Sequence, residues 1–277
     1  MSQQVAVVFA ALFGFALTAF VPPDQMTLWG WRLPLLAGIV AIPLILWLRR
    51  SLEETEVFKH SRHVRTMGEV LRILGAHWKL VANGVALTVM TTTSFYLITA
   101  YTPTYARQAL HMGPSDVFLV TLLVGLSNLA WLPVGGVLTD RFGARPLMIL
   151  VTLAALLTAY PAMVWLVADP SFSKLLVVLL LYSVYFGLYN GALIPLLAEI
   201  MPVEVRTAAF SLAFVTATAI FGGFTPAICT YLIEATGNRA APALWLSLAA
   251  VISLAAAFIL PAVQSAREAG PRAVYVK

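Results

Sequence analysis

Hydroxyl side chains are concentrated in one apolar stretch, residues 90–110, which reads MTTTSFYLITAYTPTYARQAL. On a helix that turns 100° per residue, five threonines of this region share an arc of about 100°: Thr88, Thr91, Thr92, Thr99 and Thr102. Such an arc could line an internal cavity and donate hydrogen bonds to a ligand. Alternatively, each threonine could donate to the carbonyl four residues earlier and face lipid. We interpret the arc as a cavity wall and add Tyr96 of the same run as a candidate.

A second apolar stretch carries a similar group of phenols. The further binding candidates are Tyr182, Tyr185, Tyr189, Asn128 and Asn190. Three of these tyrosines fall on one face of a helix, while Gly187 and Gly191 fall roughly opposite, with the spacing of a close-packing GxxxG seam. A packed aromatic core is an equally good interpretation of the tyrosines.

The composition determines the environment of these helices. Hydrophobic residues make up 61% of the 277-residue chain and charged residues 10%, whereas globular domains are about half apolar and a quarter charged. The sequence therefore predicts an all-α transmembrane protein. A span needs about 20 apolar residues, and eight segments qualify: 5–21, 33–48, 80–105, 117–138, 147–168, 175–198, 208–233 and 241–263. Four prolines are expected to interrupt or end spans: Pro103, Pro133, Pro195 and Pro226.

Basic residues predict the orientation. Thirteen of the 17 Lys and Arg residues fall on one side of the predicted spans, and such residues accumulate in cytoplasmic loops. Both termini are therefore expected in the cytoplasm, and the net charge of +5 indicates topology and not nucleic-acid binding. In loop 49–79, Ser51-x-x-Glu54 and Thr66-x-x-Glu69 are typical of capping boxes. The second should begin an amphipathic helix on the inner membrane surface.

Ionisable groups are missing from the middle of every predicted span. Such groups normally mark proton relays and ion sites, so this chain is expected to supply a polar wall without an obvious proton carrier. No HExxH, GxSxG or P-loop pattern occurs. We therefore predict no metal, no cofactor and no enzymatic activity. A membrane-embedded enzyme would need an acidic metal-binding cluster or a His/Cys nucleophile at an interface.

Two charged loops carry a family resemblance. Residues 136–145, GVLTDRFGAR, resemble the G-x-x-x-D-R-x-G-R-R loop of the major facilitator superfamily, and EIMPVEVRTAAFS at 199–211 resembles an E-x-x-P-x-x-x-R loop of its metabolite:proton symporter branch. The resemblance implies conformational-switch roles for eight residues: Gly136, Asp140, Arg141, Gly143, Arg145, Glu199, Pro202 and Arg206. Gly136 is expected to permit close helix approach. Ala144 replaces a basic residue of the motif.

WGWRLP at 29–34 adds to the resemblance to the metabolite:proton symporter branch, and LVGLSNLAWLPVGG at 123–136 is among the stretches that narrow it to the citrate/tricarballylate–proton symporters. The resemblance implies alternating-access symport of a small organic anion with protons across a bacterial inner membrane. Alternatives are another cargo (a dicarboxylate, a shikimate-like acid or an osmolyte) or a fragment that does not transport.

The family has twelve helices in two halves, and this chain matches helices five to twelve. Residues 1–48 would be the last two helices of the N-terminal half, 49–79 a cytoplasmic loop, 80–263 the C-terminal six-helix half and 264–277 a tail. Four N-terminal helices of the same transporter are then expected as partners. The cations that a tricarboxylate needs, and the coupling acid, would belong to them.

Overall fold

All regular secondary structure in the described residues is helical. The computed structural model describes residues 2–51 and 66–269, which contain no β-strand. The α-helices are α1 (Ser2–Phe20), α2 (Pro23–Gln25), α3 (Arg32–Ser51), α4 (Met67–Ala76), α5 (Trp78–Phe95), α6 (Thr102–Gln108), α7 (Pro114–Phe142), α8 (Ala144–Ala168), α9 (Phe172–Ile200), α10 (Arg206–Ala217), α11 (Thr225–Thr236) and α12 (Pro242–Ala269). Three π-helical segments are π1 (Met26–Gly30), π2 (Tyr96–Tyr101) and π3 (Thr218–Gly223), and Val203–Val205 forms a 3₁₀ turn.

Seven helices in the described ranges are long and apolar enough to cross a membrane. They agree with seven of the eight predicted spans: Gln3–Phe20, Trp78–Gln108, Asp116–Phe142, Ala144–Ala168, Phe172–Ile200, Val203–Thr236 and Pro242–Leu260. The remaining predicted span, 33–48, is helical as α3 but is not among the seven. Its crossing stays a prediction.

Two of the spans are composite, and each is interrupted near one of the four prolines expected to interrupt or end spans. Trp78–Gln108 consists of α5, π2 and α6, and Val203–Thr236 contains α10, π3 and α11. Pro103 and Pro226 lie in the first turn after a π-segment, where a residue without an N–H is tolerated. Pro133 and Pro195, which were also expected to interrupt or end spans, lie inside continuous helices. For these two the expectation was wrong.

The closest helix contact joins α7 to α9 through glycines. A Cβ added at Gly187 would lie 2.4 Å from Cβ of Trp131, and one at Gly191 would lie 2.8 Å from the backbone of Gly135. Only glycine permits such backbone approach, so the predicted seam is confirmed. The expectation for Gly136 was wrong. A Cβ there meets nothing within 4 Å, whereas one at Gly135 would lie 2.7 Å from the Gly187 carbonyl oxygen.

The span Trp78–Gln108 lies at the centre of the packing. In its apolar window 72% of the residues are buried, against 17% in Gln3–Phe20. It contacts α9, α10 and α12, while α1 lies against α7. At that outer contact Gly14 receives the Phe118 ring, since an added Cβ would lie 2.6 Å from Phe118 Cε1. The hydroxyl-rich region is therefore an interior element of the bundle.

The amphipathic helix predicted in loop 49–79 is α4. Thr66 accepts a hydrogen bond from the Glu69 N–H, and the Glu69 carboxylate accepts one from Thr66, which confirms the predicted capping box. Val70, Ile73 and Leu74 pack against the core while Leu71 stays exposed. The predicted Ser51 box places Glu54 outside the described residues.

The glycine seam is testable with two adjacent positions. Gly135→Ala should destabilise the protein by about 1–3 kcal/mol, because the new methyl group overpacks a backbone contact. Gly136→Ala is the matched control. Its new methyl group meets open space, and the change from glycine to alanine stabilises the helix by up to ~1 kcal/mol. Thermal unfolding of the purified variants in detergent measures both. Equal melting temperatures would contradict the assigned seam.

Candidate functional site

A small polar cavity lies between α5, α9, the α10–π3 segment and the start of α1. We call it the central cavity. Its volume is about 50 Å³, and it is lined by Gln3, Thr91, Thr92, Phe95, Tyr96, Phe186, Asn190, Phe214 and Thr218. This volume has room for a few water molecules and is too small for a tricarboxylate. Four of the sequence-predicted candidates therefore meet in one place: Thr91, Thr92, Tyr96 and Asn190.

Several polar groups of the central cavity are not committed to strong hydrogen bonds. Thr91 Oγ1 lies 3.5 Å from Asn190 Oδ1, which is at the outer limit of a hydrogen bond. The Thr218 hydroxyl is buried and has no hydrogen-bond partner among the described residues. A buried hydroxyl without a partner costs free energy. A polar ligand or water in the cavity would recover that cost.

Other hydroxyls of the predicted arc are satisfied by their own helix. Thr88 donates to the Gly84 carbonyl at 2.7 Å, and Thr92 donates to the carbonyls of Thr88 and Val89. Thr88 is 0% exposed and Thr92 is 3% exposed. Their hydroxyl protons are therefore occupied, although each oxygen can still accept a hydrogen bond.

The π2 segment changes the direction of the remaining threonines. A π-helix pairs residues five apart and inserts a residue relative to the α-helical period. Accordingly, Thr102 Oγ1 donates to the Leu97 carbonyl, five residues earlier, and to Ile98. Thr102 lines a second cavity of about 10 Å³ together with Tyr182. Thr99 is half-buried and donates to the Phe95 carbonyl. The structure does not place either residue at the central cavity.

The segments π2 and π3 meet at an aromatic contact beside the central cavity. The Tyr96 ring, the first residue of π2, lies against Gly222 of π3: a Cβ added there would lie 2.8 Å from Tyr96 Cδ2 and Cε2. Phe95 packs edge-on against Tyr96 and also contacts Phe186. Both composite spans therefore reach the cavity at their irregular turns, a frequent location of functional sites.

The predicted tyrosines of α9 bridge helices. Tyr182 donates to the Ala159 carbonyl at 2.7 Å, and Tyr189 donates to the Leu87 carbonyl at 2.7 Å. Tyr185 is hydrogen-bonded to Thr158. All three side chains are buried, and none of them lines the central cavity. These contacts tie α9 to α8 and α5, which agrees with the packed aromatic core that the sequence left open.

Asn128 belongs to a buried polar network between three helices. Its Nδ2 donates to Gln4 Oε1 at 3.2 Å, and its Oδ1 accepts from Ser183 at 2.7 Å. Ser183 also contacts Ser127 at 2.8 Å. Gln4 and Asn128 are 2% and 0% exposed. The network connects α1, α7 and α9. The sequence analysis missed Gln4, as well as Gln3 and Thr218 at the cavity, because isolated polar residues in apolar runs carry no periodic signal.

The charged loop of the family motif lies at one end of α7 and α8. Asp140 and Arg141 are exposed in the last turn of α7, and Gly143 has φ +84°, which glycine adopts without strain. Arg145 Nε donates to the Ala257 carbonyl of α12 at 2.8 Å. Glu199 and Arg206 are exposed and Pro202 is buried in the corresponding turn between α9 and α10. The motif thus attaches α8 to α12.

The family assignment agrees with this arrangement. Residues 1–226 match the Major Facilitator Superfamily. The chain belongs to the major facilitator superfamily. The solved D-xylose-proton symporter covers 93% of the chain at a TM-score of 0.71, with 18% identity, and 60% of its own chain is matched. At this identity the likeness concerns the fold.

Curated relatives are more similar in sequence. The citrate-proton symporter of Klebsiella pneumoniae is 53% identical over 92% of this chain and 57% of its own length. The citrate-proton symporter of Salmonella typhi is 49% identical over 94% of this chain and 60% of its own length. The shikimate transporter of Escherichia coli is 29% identical over 86% of the chain and 55% of its own length. The chain therefore spans under two thirds of the length of these relatives.

Cysteine labelling tests whether the central cavity contains water. In a Cys229→Ala background, Thr218→Cys should react with a small methanethiosulfonate at least about tenfold faster than Thr93→Cys, because reaction needs a hydrated thiolate. Thr93 is the matched control: its hydroxyl is also buried without a partner, but it does not line the cavity. Equal rates at the two positions would contradict a hydrated cavity.

Proposed function

We propose that this chain forms the larger part of a proton-coupled symporter for citrate or a related small organic anion. The identity of about half with two citrate-proton symporters, over more than 90% of the chain, is the observation that carries the proposal. Relatives named for shikimate and for proline or betaine are only 27–29% identical. Similarity therefore favours a tricarboxylate over these other cargoes.

The central cavity is this chain's contribution to the substrate path in the proposal. Among the described residues, Asn190 has only a 3.5 Å contact to Thr91, and the Thr218 hydroxyl has no hydrogen-bond partner. Tyr96 lines the same cavity. Neutral donors can orient carboxylate oxygens, but stabilising several buried negative charges needs cationic partners. None of the described residues that line the central cavity is charged. We propose that the cations and the proton-carrying acid come from further helices of the working transporter.

The proposed topology follows the basic residues. Both termini, loop 49–79 and the turns at 139–146 and 199–207 lie in the cytoplasm of a cell whose inner membrane holds the protein. Residues 1–48 and 80–263 belong to different half-bundles. Helix α1, which lies against α7, then forms part of the contact between the two halves. Alternating access needs such a contact to change.

Citrate uptake with and without a proton gradient tests the function. We expect cells carrying residues 1–277 behind the first four helices of the Klebsiella relative to accumulate labelled citrate. A protonophore should abolish the accumulation, because symport draws its energy from the proton gradient. Uptake by cells that express the chain alone shows whether the partner helices are needed. Uptake that is unaffected by the protonophore would contradict proton coupling, and uptake of labelled shikimate but not citrate would contradict the substrate.

Two substitutions test the cavity in the same assembly. Asn190→Ala and Thr91→Val should each raise the apparent KM for citrate about tenfold, the effect of losing one hydrogen bond to a charged group. Thr121→Val is the control. It removes a buried threonine hydroxyl that donates to its own helix at the Val117 carbonyl and lies outside the cavity. Unchanged KM in both cavity variants would remove this cavity from the substrate path.

A further inference from the structure

An open groove runs along the outer side of the contact between α5 and α12. We call it the lateral groove. Its volume is about 570 Å³, and its walls are mainly apolar, with Ala82 and Ala86 on one side and Val251, Ala255 and Ile259 on the other. The stretch from Val251 to Ile259 extends about 12 Å at 1.5 Å per residue. This length covers most of one leaflet of a hydrocarbon core about 30 Å thick.

Charge and aromatic character are confined to one end of the lateral groove. Trp78 and Lys79 are both exposed there, and the Lys79 ammonium lies 6.0 Å from the centroid of the Trp78 ring. Tryptophan is enriched at the level of lipid headgroups, and a lysine near a helix end extends its ammonium to the same level. In the proposed topology this end belongs to the cytoplasmic leaflet.

A hydrogen bond joins the two walls of the groove. Asn83 lies one helical turn from Lys79, is 7% exposed and lines the groove. Its Nδ2 donates to the Ala256 carbonyl at 3.0 Å. Its Oδ1 is buried and has no hydrogen-bond partner in the described part of the chain, so a molecule in the groove does not reach it. The bond holds α5 against α12 one turn from the charged end.

We propose that the lateral groove binds an anionic glycerophospholipid, for which phosphatidylglycerol is the probe. Lys79 binds the phosphate, and one acyl chain lies between α5 and α12. The smaller side chains of Ala82, Ala86 and Ala255 leave room for that chain. This inference concerns lipid binding and does not depend on what the protein transports.

Native mass spectrometry of the full chain tests the site. Purified protein is incubated with phosphatidylglycerol or with phosphatidylcholine of the same acyl chains, which lacks both the net charge and the hydroxyls. We expect preferential retention of phosphatidylglycerol. Lys79→Gln should reduce its binding constant about fivefold, as expected for one basic residue near an anionic lipid surface.

Lys174→Gln is the matched control. Lys174 also lies over a tryptophan ring, 5.3 Å from the centroid of Trp165, but its ammonium is paired with Asp169 at 3.0 Å. This substitution should leave retention unchanged. Equal retention of the two lipids, or equal loss in Lys79→Gln and Lys174→Gln, would overturn the proposal. A shift to dimers without lipid would also overturn it, because a second copy would then occupy the groove.

Discussion

A hydroxyl group in a membrane-spanning helix must donate its proton to an acceptor that the protein itself supplies. Hydrocarbon offers none, and an unpaired polar group is costly there. In this chain the usual acceptor is a backbone carbonyl about one turn earlier, as for Thr88, Ser94 and Thr152. The hydroxyls that do not follow this rule are therefore the informative ones. Among the described residues, Thr93 and Thr218 have no hydrogen-bond partner, and Thr91 has only a long contact to Asn190.

The same constraint explains how far the sequence predicted the site. Composition and hydropathy suffice for seven of the spans, because lipid leaves few alternatives to a helix. Local patterns were also sufficient for the Thr66–Glu69 capping box and for the glycine seam between α7 and α9. The predicted threonine arc assumes that every residue from 88 to 102 turns the helix by 100°. The π2 segment breaks that step after Phe95, so Thr91 and Thr92 reach the central cavity while Thr102 reaches another.

Single contacts between distant residues were beyond prediction for a different reason. Whether a Cβ at Gly135 or at Gly136 would face α9 depends on the rotation of α7, which has little amphipathic character to reveal it. Gln4 and Asn128 pair across 124 positions of the sequence. Asn128 was singled out as a polar candidate, but nothing local identifies Gln4 as its partner. A periodic pattern identifies a face of a helix, but a paired position requires knowledge of which helix lies opposite.

Rigid and adaptable parts of the bundle are separated in the structure. The α7–α9 seam and the tyrosine hydrogen bonds from α9 to α5 and α8 join backbone to backbone or phenol to backbone, so relative movement there would break several contacts at once. The π-segments contain the cavity-lining residues Tyr96 and Thr218 and meet through the Tyr96 ring on Gly222. Irregular turns can change their hydrogen-bond register at lower cost than regular helix. The cavity-lining turns therefore lie outside the α7–α9 seam, so their hydrogen bonds can rearrange without breaking that contact.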